Sequence, residues 1–393
     1  MSTLHASKAP APVSGESGIS RVSTLELFLD LVFVFTVTQL AELVAHPHGW
    51  SDYARAGLVL MVTWWIYSGY VWLTSNVATE QVRQRLLMFT GMLGFLLMAL
   101  AIPTVMEAGG VMFGAGYLLV TLVHTLLFTE SSTSSARAIF SVAPFNLSSA
   151  LLVLLAGVLP APWNWALWLA GVLALAGSRF LRGGSGFTLS PPHFAERHGL
   201  VIIVALGESV VAIGVGARAL PPGLHLAVPA GLALALAAAL WWSYFSGAGQ
   251  QGDDTRAEQA LKAAPPELRP SLALYGFGYG HLVMIAGIVV LSAGIKLALA
   301  HPESELVPVG AWNLAGGLAL YLLGDVIFRW VVGIGPLRLR LVASLLALPT
   351  ALVGLRYGGV FQLGLCVLLM LALLITEARR HDSEEGQSLL GQP

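Results

Sequence analysis

The sequence predicts an all-α polytopic membrane protein of about twelve transmembrane helices, built as two parallel six-helix repeats. Three observations lead there. Of 393 residues, 56% are hydrophobic and 10% charged, against about a quarter charged in an ordinary soluble domain, and the mean hydropathy is +0.78. The apolar residues gather into runs of roughly 18 to 25, the length that crosses ~30 Å of hydrocarbon at ~1.5 Å rise per residue. A rare signature also occurs twice, as Thr63-Trp64-Trp65-Ile66-Tyr67-Ser68-Gly69 and as Leu240-Trp241-Trp242-Ser243-Tyr244-Phe245-Ser246-Gly247.

Taken in order, residues 1–22 are rich in Ala, Pro and Ser and lack the apolar core and cleavage site of a signal peptide. They read as a disordered cytosolic tail. Apolar runs follow at 24–45, 53–73, 85–105, 111–129, 137–159, 163–181, 193–217, 224–245, 271–299, 308–330, 338–356 and 359–378. The Ser/Thr stretch from Glu130 to Ser135 is a place where a helix can end early. The first repeat is set at 23–182, a Gly/Pro linker at 183–192 and the second repeat at 193–380. A cytosolic loop at 246–270 holds one short helical pattern from Asp253 to Lys262, and residues 381–393 form a cytosolic tail.

The repeat has further support in the helices beside each Trp pair. Glu26 and Glu196 stand near the start of matching helices, with Gln39 and Glu208 about three turns later. Phe89, Gly94 and Met98 echo Tyr275, Gly280 and Met284. Because six is even, the halves keep one orientation, which predicts a pseudo-two-fold axis along the membrane normal and a site between the halves. Placing the amino terminus in the cytosol puts 16 of the 20 Lys and Arg inside, leaving Arg55, Arg218, Lys296 and Arg356 outside, in accord with the positive-inside bias. Both termini are then cytosolic.

The net charge of −1 without a basic cluster argues against nucleic acid. Cys366 is the one cysteine, so no intrachain disulfide forms. No phosphate-binding Gly-rich loop, nucleophile elbow or redox Cys pair is present, and no cofactor is expected. The expected partners are the bilayer and a small molecule or ion, and the oligomeric state is left open.

Intramembrane carboxylates cost a few kcal/mol unless they face protein or water, so those of the first and seventh runs mark a candidate site. Glu26 has capping-box spacing from Ser23, and either caps its helix or joins the site. Asp30 lies one turn deeper on the same face. It either pairs with an Arg, with Arg197, Arg137 and Arg329 as choices, or carries a proton. In Ser190-Pro-Pro-His193-Phe-Ala-Glu196-Arg197-His198 the Ser is set to cap and the prolines to open the helix. His193, Glu196 and His198 are a weak metal pattern, because His198 is rotated away from the other two. Glu208, about 15 residues into its helix and flanked by Gly207 and Ser209, suits reversible protonation. The alternative is a neutral Glu bonded to a neighbouring helix. His124 and His281 are either proton relays or satisfied core histidines. Asp325 and Arg329 have local ion-pair spacing. Trp64, Trp65, Trp241 and Trp242 sit mid-span, and either pack the halves together or line a substrate path.

At Glu26-Leu-Phe-Leu-Asp30-Leu-Val-Phe-Val-Phe, Trp64-Trp65, Arg85-Leu-Leu-Met, His193-Phe-x-Glu196-Arg197-x-Gly199-Leu and Leu206-Gly207-Glu208-Ser209, the chain resembles the bacterial low-temperature-requirement A (LtrA) family over nearly its whole length. The resemblance implies a multi-pass bacterial inner-membrane protein from a family named for a growth phenotype, and it implies no reaction. Where that family commonly shows Asn-Arg-Phe-Asp after the tryptophan at Trp72, this chain reads Leu73-Thr-Ser-Asn-Val-Ala-Thr-Glu80. No acidic ion ligand is therefore carried over to that loop. The leading expectation is a proton-coupled secondary transporter. The alternatives are an intramembrane enzyme acting on a lipid or isoprenoid, and a non-catalytic membrane factor for growth in the cold.

Overall fold

The computed structural model describes residues 22–77, 81–131, 133–182, 189–219, 221, 223–245, 252–300, 302 and 304–390. All of the expected tail at 1–22 but its last residue, most of the linker and the first part of the 246–270 loop lie outside them, as does Glu80. The helices are α1 (Thr24–Ala45), α2 (Trp50–Thr74), α3 (Val82–Ala101), α4 (Gly110–Phe128), α5 (Thr133–Ala156), α6 (Trp163–Arg182), α7 (Pro191–Gly216) and α8 (Leu224–Phe245). They continue with α9 (Asp253–Ala263), α10 (Arg269–Leu272), α11 (His281–Ala300), α12 (Pro308–Val332), α13 (Arg338–Ala347), α14 (Thr350–Tyr357) and α15 (Gly359–Leu390). Among the described residues, eleven helical stretches are long and apolar enough to cross a membrane, and Trp163–Gly177 is a shorter apolar helix. The chain is an all-α, multi-pass membrane protein.

Local chemistry sets the ends. Ser23 and Glu26 close a reciprocal capping box at the start of α1, with the Ser23 hydroxyl donating to Glu26 at 2.7 Å. Ser190 stands at the start of α7 in extended conformation with Pro191 following, but makes no side-chain cap bond. The short helix read at Asp253–Lys262 is α9, whose cap position is held by Gly252. The break between α3 and α4 is a 3₁₀ turn at Ile102–Thr104. The helix after α10 runs through a π-helical segment, Ala273–Gly280, before α11. Helix α15 continues to Leu390, past the boundary set at 380.

Helix α1 lies at the centre, packed on α2, α3, α7 and α11. Its two acids nearest the start point inward and large apolar side chains lie on its outer side: Glu26 and Asp30 are buried among Leu29, Phe33 and Val37, while Phe28 and Leu31 are 48% and 58% exposed. That inversion of a soluble helix is what a lipid-facing surface around a polar interior requires. The tightest crossings use glycine. A Cβ at Gly116 of α4 would stand 2.7 Å from the Gly94 carbonyl of α3, and one at Gly324 of α12 would stand 2.9 Å from the Gly280 carbonyl that leads into α11. Each glycine also abuts a methionine one turn on, Met98 and Met284 respectively. With no hydrophobic drive between helices in lipid, such close backbone approach supplies the packing.

Candidate functional site

The sequence-flagged residues form three separate groups. The first is an ionic cluster at the end of the bundle where α1 and α7 begin. The Arg197 guanidinium donates to Asp30 Oδ2 at 2.6 Å, and its Nε lies 3.5 Å from Glu26 Oε2. His193 Nε2 stands 2.9 Å from the same Glu26 oxygen, and its Nδ1 is 2.9 Å from the Ser75 hydroxyl. Tyr67 donates to Asp30 Oδ1 at 2.7 Å, and its ring lies beneath the Arg197 cation at 6.0 Å. Arg197, His193 and Asp30 are fully buried and Glu26 is 3% exposed. Glu26 therefore does both things the spacing allowed: one oxygen caps α1 and the other faces α7. Asp30 takes the ion-pair option, and its partner is Arg197. Arg329 lies against Asp325 instead, and the Arg137 side chain is outside the described residues.

One expectation fails here. Glu196 is exposed, because the outward stripe of α7 runs through Glu196, Ile203 and Val210, seven residues apart, with Ile203 and Val210 at 43% and 50% exposure. It cannot join the buried cluster. His193, Glu196 and His198 then point three ways, and among the described residues no group of three or more His, Cys, Asp or Glu is placed to hold a metal.

His198 enters an aromatic box instead. Its ring meets His281 at 5.1 Å, Phe277 at 5.0 Å and Phe194 at 4.5 Å. His198 Nδ1 is 2.9 Å from the Phe194 carbonyl, and His281 Nε2 is 2.8 Å from the Tyr244 hydroxyl. Both rings are fully buried.

The second group is Glu208. Thr38 of α1 donates to its Oε2, and Ser209 beside it is 2.9 Å from Ser292 of α11. The residue is 6% exposed. Among the described residues no cation lies within ion-pair distance, the nearby Lys296 being bonded to Glu42. Thr38 is eight residues beyond Asp30, about 12 Å along the helix, and Phe33, Val37, Val201, Ile202 and Ala205 are buried on the two helices between these polar levels. The expected single polar chamber holding Asp30 and Glu208 together is not present.

The third group surrounds a cavity of about 470 Å³ walled by α2, α4, α5 and α6 on one side and by α10 and the π segment on the other. Trp64, Trp65, Trp72, Ser68, His124 and Asn146 line it, with Glu267 and Ser271 toward the loop. Trp64 Nε1 donates to the Gly278 carbonyl at 2.6 Å and Trp65 Nε1 to Asn146 Oδ1 at 3.1 Å. His124 is 3% exposed, and beyond an off-line approach to the Gly69 backbone neither ring nitrogen is satisfied among the described residues. The second tryptophan pair does not mirror the first. Trp241 and Trp242 are 40% and 53% exposed on the outer face of α8, so they line no path. What the two motifs share is the tyrosine, with Tyr67 and Tyr244 both fully buried.

Sequence reading missed a second buried ionic cluster. Arg340 binds Glu377 through two nitrogens at 2.9 Å each, Asp325 at 2.6 Å and the Ser243 carbonyl at 3.1 Å. Arg329 Nε stands 3.4 Å from Asp325, as its spacing predicted. Arg340 and Glu377 open and close apolar runs and so read as interfacial charges. No local signal distinguishes a buried one there.

Comparison with known proteins places these features. The family model described as bacterial low temperature requirement A protein (LtrA) matches residues 21–375, which include all three groups. An uncharacterized protein from Rhizobium meliloti (strain 1021) is 27% identical over 322 residues, covering 78% of this chain and 76% of the relative.

Proposed function

We infer that this chain, which belongs to the bacterial low temperature requirement A (LtrA) family, is a proton-coupled secondary transporter of a small solute. It works between two six-helix halves in a bacterial inner membrane, with both termini cytosolic. The observation that carries this reading is the cavity. Its walls come from helices on both sides of the 183–192 linker, the position a site takes when one half rocks against the other. The duplicated halves are supported by the matched crossings of α3 on α4 and of α11 on α12, where Gly94, Met98 and Gly116 stand in the same relation as Gly280, Met284 and Gly324.

Glu208 is the coupling group of this proposal. It bonds Thr38 across the α1–α7 contact, which joins the two halves. Gaining a proton turns a charge-assisted bond into a neutral one roughly half as strong, and so alters how firmly the halves hold together. The Asp30–Arg197 pair is less suited to that role, since both charges are already matched. The geometry also favours transport over an intramembrane enzyme: Glu26, Asp30, His193 and His198 are turned to one another and to Arg197, Tyr67 and Phe194, and none lines the cavity.

The test uses proteoliposomes loaded with a pH-sensitive dye and challenged with fractions of a bacterial small-molecule extract. Wild-type protein should move protons with at least one fraction, and Glu208→Gln should abolish that response while inserting normally. A wild type silent to every fraction overturns the transporter reading and favours the non-catalytic membrane factor. An unaltered Glu208→Gln response rejects the coupling role alone.

A further inference from the structure

The chemistry of the chamber says more about what it holds. Three indoles, Trp64, Trp65 and Trp72, line one cavity of about 470 Å³, within the range of small-ligand pockets. Among its described lining residues there is no Lys or Arg, and Glu267, exposed on the loop side, is the carboxylate among them. An anion entering this space would meet Glu267 as a like charge. A cation would meet Glu267 on entry and the electron-rich faces of indole rings inside, which attract cations more strongly than other aromatic side chains do.

The polar groups within the chamber point the same way. His124 is buried beside the Gly69 backbone, and among the described residues no hydrogen bond satisfies its ring nitrogens; a neutral imidazole offers one acceptor. Asn146 turns its carbonyl oxygen to Trp65 Nε1 and keeps a second lone pair. Two acceptors beside three indoles suit a ligand that brings N–H donors on a positively charged nitrogen and carries an apolar body.

Resting on the transport reading above and deepening it, we propose that the chamber binds a lipophilic primary ammonium ion. Its charged end is held between the indole faces, His124 and Asn146, and Glu267 draws it in from the loop side. The recognition is binding alone and involves no bond making.

The experiment measures equilibrium binding by calorimetry on the full chain in nanodiscs of zwitterionic lipid, with protein-free discs subtracted to remove partition into lipid. The probes share one body and differ in their end group: 4-phenylbutylamine, which is cationic at neutral pH, 4-phenylbutanol, and 5-phenylpentanoate. The amine should bind at least tenfold more tightly than the alcohol, and the carboxylate weakest of the three. Glu267→Gln, an exposed substitution that does not disturb packing, should weaken the amine several-fold, leave the alcohol unchanged, and remove most of the salt dependence of amine binding. Trp65→Leu should weaken the amine more than the alcohol. Equal affinity for amine and alcohol, or tighter binding of the carboxylate, overturns the proposal, as does an amine affinity indifferent to both substitutions. No gradient is needed for this measurement. Amine binding without proton movement in the liposomes would therefore refute transport and leave the site assignment standing, and proton movement driven only by an anionic solute would do the reverse.

Discussion

The ionic cluster at the start of α1 and α7 makes a prediction whose size follows from its charges. Glu26 and Asp30 bring two negative charges, one helical turn apart, to a single buried guanidinium, that of Arg197. Asp30→Asn leaves Arg197 facing Glu26 at 3.5 Å, so a cation loses its closer partner but keeps the other. Breaking one side of a buried pair costs about 3–5 kcal/mol, and the retained Glu26 contact places this change at about 3. Arg197→Gln is worse. It takes the shared guanidinium from two carboxylates one turn apart, leaving Glu26 with Ser23 and His193 and Asp30 with Tyr67, and their repulsion across about 6 Å at an effective dielectric of about 20 adds roughly 2–3 kcal/mol. The loss then approaches the total stability of a typical domain. Because both single changes remove the same contact, the double variant should be less destabilised than their sum by about 2 kcal/mol or more. Unfolding in mixed micelles titrated with sodium dodecyl sulfate, followed by circular dichroism, measures all four corners of this cycle. A coupling below about 0.5 kcal/mol, or an Arg197→Gln protein more stable than Asp30→Asn, would refute the pairing and the charge count behind it.

Other outcomes follow from the same geometry. Arg340→Gln should cost about 3–5 kcal/mol in that unfolding assay, because it removes the paired guanidinium from Glu377 and leaves Asp325 with the longer contact to Arg329 at 3.4 Å. Glu377→Gln should cost less, since Arg340 keeps Asp325. Gly287→Leu should destabilise by about 1–3 kcal/mol or more, because a Cβ there would lie 2.3 Å from the Tyr321 amide nitrogen and force α11 and α12 apart. A Gly287→Leu protein as stable as wild type would contradict that crossing.

The fold was largely legible, and the site only in part. Hydropathy is additive along a helix, so each apolar run announced itself. Individual intramembrane acids were visible for a related reason, since each violates an otherwise apolar pattern. Their partners were not visible: Asp30 and Arg197 are 167 positions apart, and nothing local selects Arg197 over other arginines. Facing was recoverable for Glu196, because the outward stripe it shares with Ile203 and Val210 has a period of seven and could have been followed along α7. It was not recoverable for the tryptophans. Trp64 and Trp241 occupy the same position of one motif, yet one is 3% and the other 40% exposed. Which of them faces protein depends on neighbouring helices, as does the existence of a cavity beside Trp64.

Trp64 also explains how chemistry in three separate places can belong to one device. Its indole donates to the Gly278 carbonyl within the π segment, stacks on Tyr67 at 5.5 Å and meets His198 edge-on at 6.1 Å. The π segment carries Gly276, Gly278 and Gly280 and forms the cavity wall contributed by the second half. Tyr67 is hydrogen-bonded to Asp30, the residue that fixes α1 against α7 through Arg197. On the proposed function an occupant of the chamber would press on Trp64, a residue bonded to the π segment and stacked on Tyr67 of the ionic cluster. Glu208 needs no open route to the chamber under this arrangement. On that proposal a proton at Glu208 would act on the α1–α7 contact at Thr38, eight residues beyond Asp30 on α1, while an occupant would act on the same contact through Trp64 and Tyr67. Two ligands that bias one helix interface influence each other through its equilibrium alone, and on the proposed transport function the buried apolar level between the two sites would keep protons and solute on separate paths.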